Sequence, residues 1–181
     1  MGDFAKGRLD HPRHAHFSDE IRQGFALHRF IDHFTDTHPV VLDCRNKLND
    51  IFPRYASVII DMYFDHFLAK NFETYYPQTL NDFVAKTYAI LPRYQHLYHD
   101  EMHPMVASIL RYDWLTNYQY PEGLRRSLGG MAKKFPFLAG IEKASDELFE
   151  NHDLYHDYFA RFYPELQTAC TDFIGLGFKN G

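Results

Sequence analysis

The sequence predicts an all-α protein, a single helical bundle of about seven or eight helices that spans residues 1–181. Apolar residues recur at helical spacing along most of the chain, and no segment alternates apolar and polar residues for long enough to indicate a strand. At 181 residues the chain is long enough for one domain with a substantial core. Cys44 and Cys170 form no disulfide or metal-binding motif.

Helix start and stop signals divide the first half of the chain into three helices. Ser18 and Asp19 are good N-caps for the first. This helix ends before Pro39, because the residue preceding a proline disfavours the helical conformation. Pro53 suits the first turn of the third helix, which is apolar on nearly every face and is predicted to be central and buried. The predicted helices span residues 20–36, 40–49 and 54–72.

Helix start and stop signals also divide the second half of the chain. Asn81 is the predicted cap of one helix, and Pro104 and Pro121 open two more. Pro164 is expected to bend or split the last helix. The predicted helices span residues 81–91, 105–114, 121–134, 138–149 and 153–174.

Composition narrows the classes of function. A formal net charge of −5 gives no general attraction to nucleic acid or to an anionic membrane. The longest apolar runs are too short to cross a bilayer, and the N-terminus lacks the apolar stretch of a signal peptide. We therefore expect a cytoplasmic protein with no nucleic-acid or membrane partner, and its oligomeric state is left open.

Acidic and imidazole side chains repeat at intervals of four in two of the apolar helices. They are His28, Asp32 and Asp36 in the first predicted helix, and Asp61, Asp65 and the adjacent His66 in the third. Their apolar neighbours predict that these groups lie close to a core, where an unpaired carboxylate is costly. A divalent ion such as Mn, Fe, Mg or Zn would offset that cost, and such a site supports phosphoester hydrolysis.

An ordinary structural interpretation also fits each element. A single His-x-x-x-Asp pair is often a surface ion pair, and Arg29 beside His28 could neutralise Asp32. The Asp-x-x-x-Asp-His element is a stronger signal, because apolar residues surround it on both sides. A ferritin-like di-iron site is not predicted, since the sequence lacks its paired Glu-x-x-His motifs.

Several motifs together resemble the acyl carrier protein phosphodiesterase family, also called acyl carrier protein hydrolase. They are GDFAKG at 2–7, GFALHRFIDHFTDTHP at 24–39, DMYFDHFLAKNF at 61–72, LRYDWLTNY at 110–118, LGGMAKK at 128–134 and RFYPEL at 161–166. The resemblance implies an HD-domain-like fold with a His/Asp metal site, most often holding Mn²⁺. It also implies hydrolysis of the phosphodiester that links 4′-phosphopantetheine to a serine of holo acyl carrier protein, giving the apo protein.

The same resemblance implies roles for individual residues. The implied metal ligands are Asp3, His28, Asp32, Asp61, Asp65 and His66, with Asp36 as a further candidate. The implied catalytic residues are His28, Arg29, Asp32 and His66, of which Arg29 would contact phosphate. Either His33 or His66 would handle a proton. Family members carry an apolar, His-containing segment before the GDF motif, so we expect an N-terminal helix of the family to be missing here, which would leave the site incomplete if that His is a ligand.

A carrier protein is acidic, so an enzyme acting on it should present local positive charge. Arg125, Arg126, Lys133 and Lys134 on one predicted helix are candidates, although they also suit an ordinary solvated face. Two alternative functions stay open. One is an HD-type phosphohydrolase acting on a small phosphoester or nucleotide, and the other is a non-catalytic helical binding module.

Overall fold

A computed structural model describes residues 7–8 and 11–177, without the side chain of Arg13, and this part of the chain contains α-helices, short 3₁₀ turns and no strand. The α-helices are α1 Asp19–Thr37, α2 Pro39–Asn49, α3 Ala56–Lys70, α4 Phe72–Tyr75, α5 Leu80–Ile90, α6 Met102–Tyr112, α7 Trp114–Asn117, α8 Pro121–Lys134, α9 Ala144–Glu150 and α10 His152–Gly175. Because α4 and α7 are single turns, eight longer helices remain in the described residues. The all-α prediction is confirmed.

Most predicted boundaries hold within a few residues, and two differ for local reasons. The cap of α5 is Thr79 rather than Asn81, because the Thr79 hydroxyl accepts the Asp82 backbone N–H at 3.1 Å. The ninth helix begins only at Ala144, since the preceding residues form two 3₁₀ turns around Gly140, whose φ is 102°. The tenth helix runs through Pro164 without splitting, and the bend that the sequence also allows there stays a prediction.

The backbone divides into two compact units. One comprises Met1–Leu42 and Ala160–Gly181, and the other comprises Asp43–Phe159. Helices α2 and α10 each contribute residues to both units. The expectation of a single domain over residues 1–181 stays a prediction.

Aromatic contacts hold the first unit together. The ring of Phe30 on α1 stacks on Phe173 of α10 with centroids 4.4 Å apart. Phe34 lies 6.2 Å from Phe162, and the buried His38 meets Phe162 edge-on at 5.1 Å. Aromatic pairs of this kind add to the free energy gained by burying their surface.

The second unit has its core around α3, as the sequence predicts. The buried residues of α3 are Ala56, Ile59, Ile60, Met62, Tyr63, Phe64, His66, Phe67 and Ala69. Tyr63 packs edge-on against Tyr155 at 4.9 Å, and Phe67 stacks on Phe159 at 5.8 Å. Among the helices described, none combines the length and apolar character that crossing a bilayer requires.

Candidate active-site residues on helices α1 and α3

The structure contains the pair of His28 and Asp32 on α1. His28 Nδ1 lies 3.2 Å from Asp32 Oδ1, one helical turn away, and the two side chains are 33% and 51% exposed. The expectation that these groups lie close to a core is wrong for this helix, because α1 fully buries only Phe25 among its residues. A carboxylate that faces both solvent and an imidazole needs no bound cation to be tolerated.

The other candidates of the first unit are spread along the same helix. Arg29 is half-buried, whereas His33 and Asp36 are exposed. Asp3 lies outside the described residues.

The two carboxylates of α3 have a different environment. Asp61 and Asp65 lie one turn apart and are both exposed, on a helix that is otherwise mostly buried. Protein atoms crowd the Asp65 carboxyl even though solvent reaches it. This crowding raises the pKa of Asp65 to about 7, and the negative charge of Asp61 adds to the shift. Asp65 is thus an accessible carboxyl that is poorly solvated.

His66 is fully buried and has a defined orientation. Its Nδ1 lies 2.7 Å from the backbone carbonyl of Tyr118, and because a carbonyl only accepts, Nδ1–H is the donor. The neutral ring then carries a lone pair at Nε2. Burial lowers the pKa of His66, and the charges of Lys70 and His152 act in the same direction, which keeps the ring neutral at pH 7.

Nε2 of His66 has no hydrogen-bond partner among the described residues, although it is buried. An unsatisfied buried acceptor costs about 1–3 kcal/mol, so such atoms are rare unless they have a function. An imidazole held by Nδ1–H on a backbone carbonyl, with Nε2 available, is the arrangement that metal-binding and proton-transferring histidines adopt. His66 therefore fits the nitrogen donor of the predicted site.

The carbonyl that orients His66 is itself held by a tight turn between α7 and α8. The backbone of Gly123 approaches Asn117 so closely that a Cβ at this position would lie 1.8 Å from the Asn117 carbonyl oxygen. The Asn117 side-chain amide donates to the carbonyls of Tyr112 and Asp113 at 3.0 and 2.9 Å, which ties α7 to the end of α6. Gly123 thus allows the packing that presents Tyr118 to His66.

The structure adds one group that the sequence did not single out. His38, 7% exposed, lies with Nε2 3.3 Å from Glu165 Oε2, and its buried Nδ1 has no partner in the described chain. Both residues belong to the first unit. Local spacing could not reveal this pair, because its members are 127 residues apart.

A complete metal-binding cluster does not form from the described residues of either unit, where no three His, Cys, Asp or Glu side chains gather around one point. The structure thus brings together His28 with Asp32 on one helix and Asp61 with Asp65 on the other. The assigned roles stay predictions for Asp3, His28, Arg29, Asp32, Asp36, Asp61, Asp65 and His66.

Comparison with known proteins identifies relatives along nearly the whole chain. The family model described as acyl carrier protein phosphodiesterase matches residues 1–166. A protein named acyl carrier protein phosphodiesterase from Photorhabdus laumondii is 26% identical over 173 residues, which cover 94% of this chain and 84% of the relative.

Two further relatives bear the same name. The protein from Yersinia pestis is 29% identical over 174 residues, covering 94% of this chain and 86% of the relative. The protein from Klebsiella pneumoniae strain 342 is 29% identical over 181 residues, with the same coverage of the two chains. No solved structure gives a significant match. The family match over most of the chain shows that this protein belongs to the acyl carrier protein phosphodiesterase family.

Proposed function

We propose that this protein is a metal-dependent phosphodiesterase that hydrolyses the bond between 4′-phosphopantetheine and the serine of holo acyl carrier protein. The products are the apo carrier protein and free 4′-phosphopantetheine. The family match over residues 1–166 carries the proposal. The orientation of His66 supports the proposal independently of the family match. It leaves a buried imidazole nitrogen without a partner in the described residues, and such a nitrogen can bind a metal ion or carry a proton.

In this proposal α3 contributes donors to a divalent ion, which we take to be Mn²⁺, although no three donor side chains gather around one point in the described residues. His66 would offer Nε2, and Asp61 and Asp65 would offer carboxylate oxygens, a donor set that suits a hard or borderline cation. When bound, the ion would neutralise phosphoryl charge and lower the pKa of water. Because the pKa of Asp65 is raised, its charged form is unfavourable when no cation is near. A bound cation would offset this cost.

The residues of α1 have a separate part in the proposal. Arg29 would offset negative charge on the phosphodiester, since a guanidinium binds phosphate oxygens through two parallel N–H groups. The Asp32 carboxylate holds the His28 imidazole in one orientation through their 3.2 Å contact. In that orientation His28 would serve as a ligand or a proton carrier.

Docking of an acidic carrier protein requires positive charge at the surface. Arg125, Arg126, Lys133 and Lys134 are all exposed on α8, and Arg125 is already engaged with Asp146 at 2.9 Å. The remaining three cations are therefore the stronger candidates for contact with a carrier.

The direct test is intact-mass spectrometry of holo acyl carrier protein incubated with the purified protein. We expect conversion to the apo mass with Mn²⁺ and none after EDTA treatment, with activity restored by adding Mn²⁺ back. Conversion that continues in EDTA would contradict the metal dependence but not the phosphodiesterase activity. Turnover of small phosphodiesters or nucleotides without any loss of the pantetheine arm would favour the small-substrate alternative.

A further inference from the structure

An open groove in the second unit, which we call the α8 groove, includes none of the residues assigned to the metal or the phosphodiester, although Arg126 and Lys134 on its lining are also candidate carrier contacts. It is lined by residues of α6, α7 and α8 and by Phe135, and has a volume of about 560 Å³. This volume lies within the range of small-molecule pockets.

The walls of the α8 groove are largely apolar. Met105, Tyr112 and Phe135 line it while remaining 36%, 51% and 39% exposed. Large apolar side chains scattered singly over a surface need no explanation, but a cluster of them around one concavity indicates a binding surface. The occupant of the groove should therefore be mainly apolar.

One wall of the groove follows a single face of α8. Arg126, Gly130 and Lys134 line it at intervals of four, which stacks them along the helix over about 12 Å. A Cβ on Gly130 would meet nothing within 4 Å, so the middle of this wall is open. The wall is long and has a cation at each end.

The two cations are not equivalent. Arg125, their neighbour outside the groove, pairs with Asp146, and the Lys134 Nζ lies over the Phe135 ring at 5.2 Å. Arg126 has no ion pair or hydrogen bond with any residue in the described part of the chain. A guanidinium beside apolar surface binds a carboxylate strongly, because it can donate two parallel hydrogen bonds.

We propose that the α8 groove binds a free alkyl carboxylate, with the carboxylate on Arg126 and the alkyl chain running past Gly130 towards Met131 and Phe135. A neutral lipid would leave Arg126 unpaired. A protein partner would need a surface much larger than this groove. The inference concerns a second site and does not depend on the proposed reaction.

Trp114 provides the readout, since it lines the groove and is the only tryptophan of the chain. We expect dodecanoate to change the Trp114 fluorescence saturably in the full-length wild-type protein. Decanoate should bind up to roughly fifteenfold more tightly than octanoate, because each buried methylene strengthens binding. Dodecanol, which lacks the charge, should bind at least about tenfold more weakly than dodecanoate.

Two pairs of variants locate the site on α8. Gly130→Leu should weaken dodecanoate binding more than tenfold by filling the groove, whereas Gly129→Leu should leave it within about twofold. Gly129 is a matched control, since it also has open space around a Cβ and does not line the groove. Arg126→Gln should weaken binding at least about tenfold. Lys133→Gln, at an exposed position outside the groove, should not.

The same fluorescence experiment distinguishes alkyl carboxylates from other possible occupants of the α8 groove. Equal binding of dodecanol and dodecanoate, or unchanged binding by Gly130→Leu, would overturn the inference. Trp114 emission that depends on protein concentration in the absence of ligand would assign the groove to a second copy of the chain. A response to holo acyl carrier protein but not to dodecanoate would assign it to the carrier.

Discussion

Helices α1 and α3 both carry acidic and imidazole side chains, but they place their histidines in opposite environments. On α1, His28 and Asp32 satisfy each other at a half-exposed surface. On α3, His66 is fully buried with Nε2 unpartnered in the described residues, and Asp65 has a raised pKa. The α1 pair satisfies its own charges. On α3, the buried Nε2 of His66 and the charged form of Asp65 are both energetically unfavourable without a further partner.

The difference lies in the helix rather than in the motif. Phe25 is the one fully buried residue of α1, so the polar face of that helix stays in contact with water. Nine residues of α3 are buried, and His66, which is one of them, is held in place by packing. A buried imidazole in a fixed orientation needs little reorganisation when a ligand binds to it.

The comparison predicts its largest effect at His66. His66→Asn removes the Nε2 lone pair while keeping an amide N–H near the position of Nδ1 that can donate to Tyr118, so we expect turnover of holo acyl carrier protein to fall on the order of 10²–10³-fold. His96→Asn, at an exposed position, is the control. The assay is apo-product formation by mass spectrometry, with the melting temperature measured alongside. A loss smaller than threefold in a well-folded variant would remove His66 from the site.

The next largest effect is expected at Gly123, in the α7–α8 turn that positions the Tyr118 carbonyl against His66. Gly123→Ala places a methyl group against the Asn117 carbonyl, and we expect a loss of about 2–3 kcal/mol in the free energy of unfolding. Gly130→Ala, in the same helix with open space around its Cβ, should instead gain about 0.5–1 kcal/mol. Urea unfolding measures both. Equal stability of the two variants would show that the close approach of Gly123 is not required.

A pH-dependent effect is expected at Asp65. Because the folded-state pKa is raised to about 7 from 3.8, the folded protein holds this proton longer than the unfolded chain does. Wild-type stability should therefore fall as the pH rises from about 4 to 7, and Asp65→Asn should abolish this fall. The free energy of unfolding of Asp65→Asn, measured relative to wild type, should be about 1 kcal/mol higher at pH 7.5 than at pH 4. The value is modest because solvent reaches the Asp65 carboxyl. Thermal unfolding in EDTA tests this, and a gain that shrinks with rising pH would contradict it.

The smallest effect is expected on α1. Asp32→Asn removes the charge that pairs with His28, and an exposed pair of this spacing contributes about 0.3–0.5 kcal/mol. Urea unfolding of the single and double variants at His28 and Asp32 would give the coupling energy. If Asp32→Asn abolishes activity without changing stability, the contrast with α3 does not extend to function, because the α1 pair is then required for turnover.

Much of the fold could be predicted because helix boundaries depend on local chemistry. The α8 boundaries at Pro121 and Lys134 were predicted correctly, since proline opens a helix regardless of what packs on it. The cap of α5 was misassigned because both Thr79 and Asn81 can cap, and the choice between them depends on the backbone conformation.

The chemistry of the site could be predicted only in part. The sequence places acidic and imidazole groups one turn apart, but whether such a group is exposed or buried depends on what packs against its helix. His66 meets a carbonyl 52 residues away, and His38 meets a carboxylate 127 residues away. No periodic pattern encodes contacts over such separations.

The sequence by itself therefore determined the helical class, most helix boundaries, the family and the residue types available for chemistry, because these follow from neighbours within a few turns of chain. Only the tertiary structure decided which imidazole keeps an unpartnered nitrogen and which carboxyl holds its proton near neutral pH. Burial and electrostatic coupling are set by atoms that come together after folding.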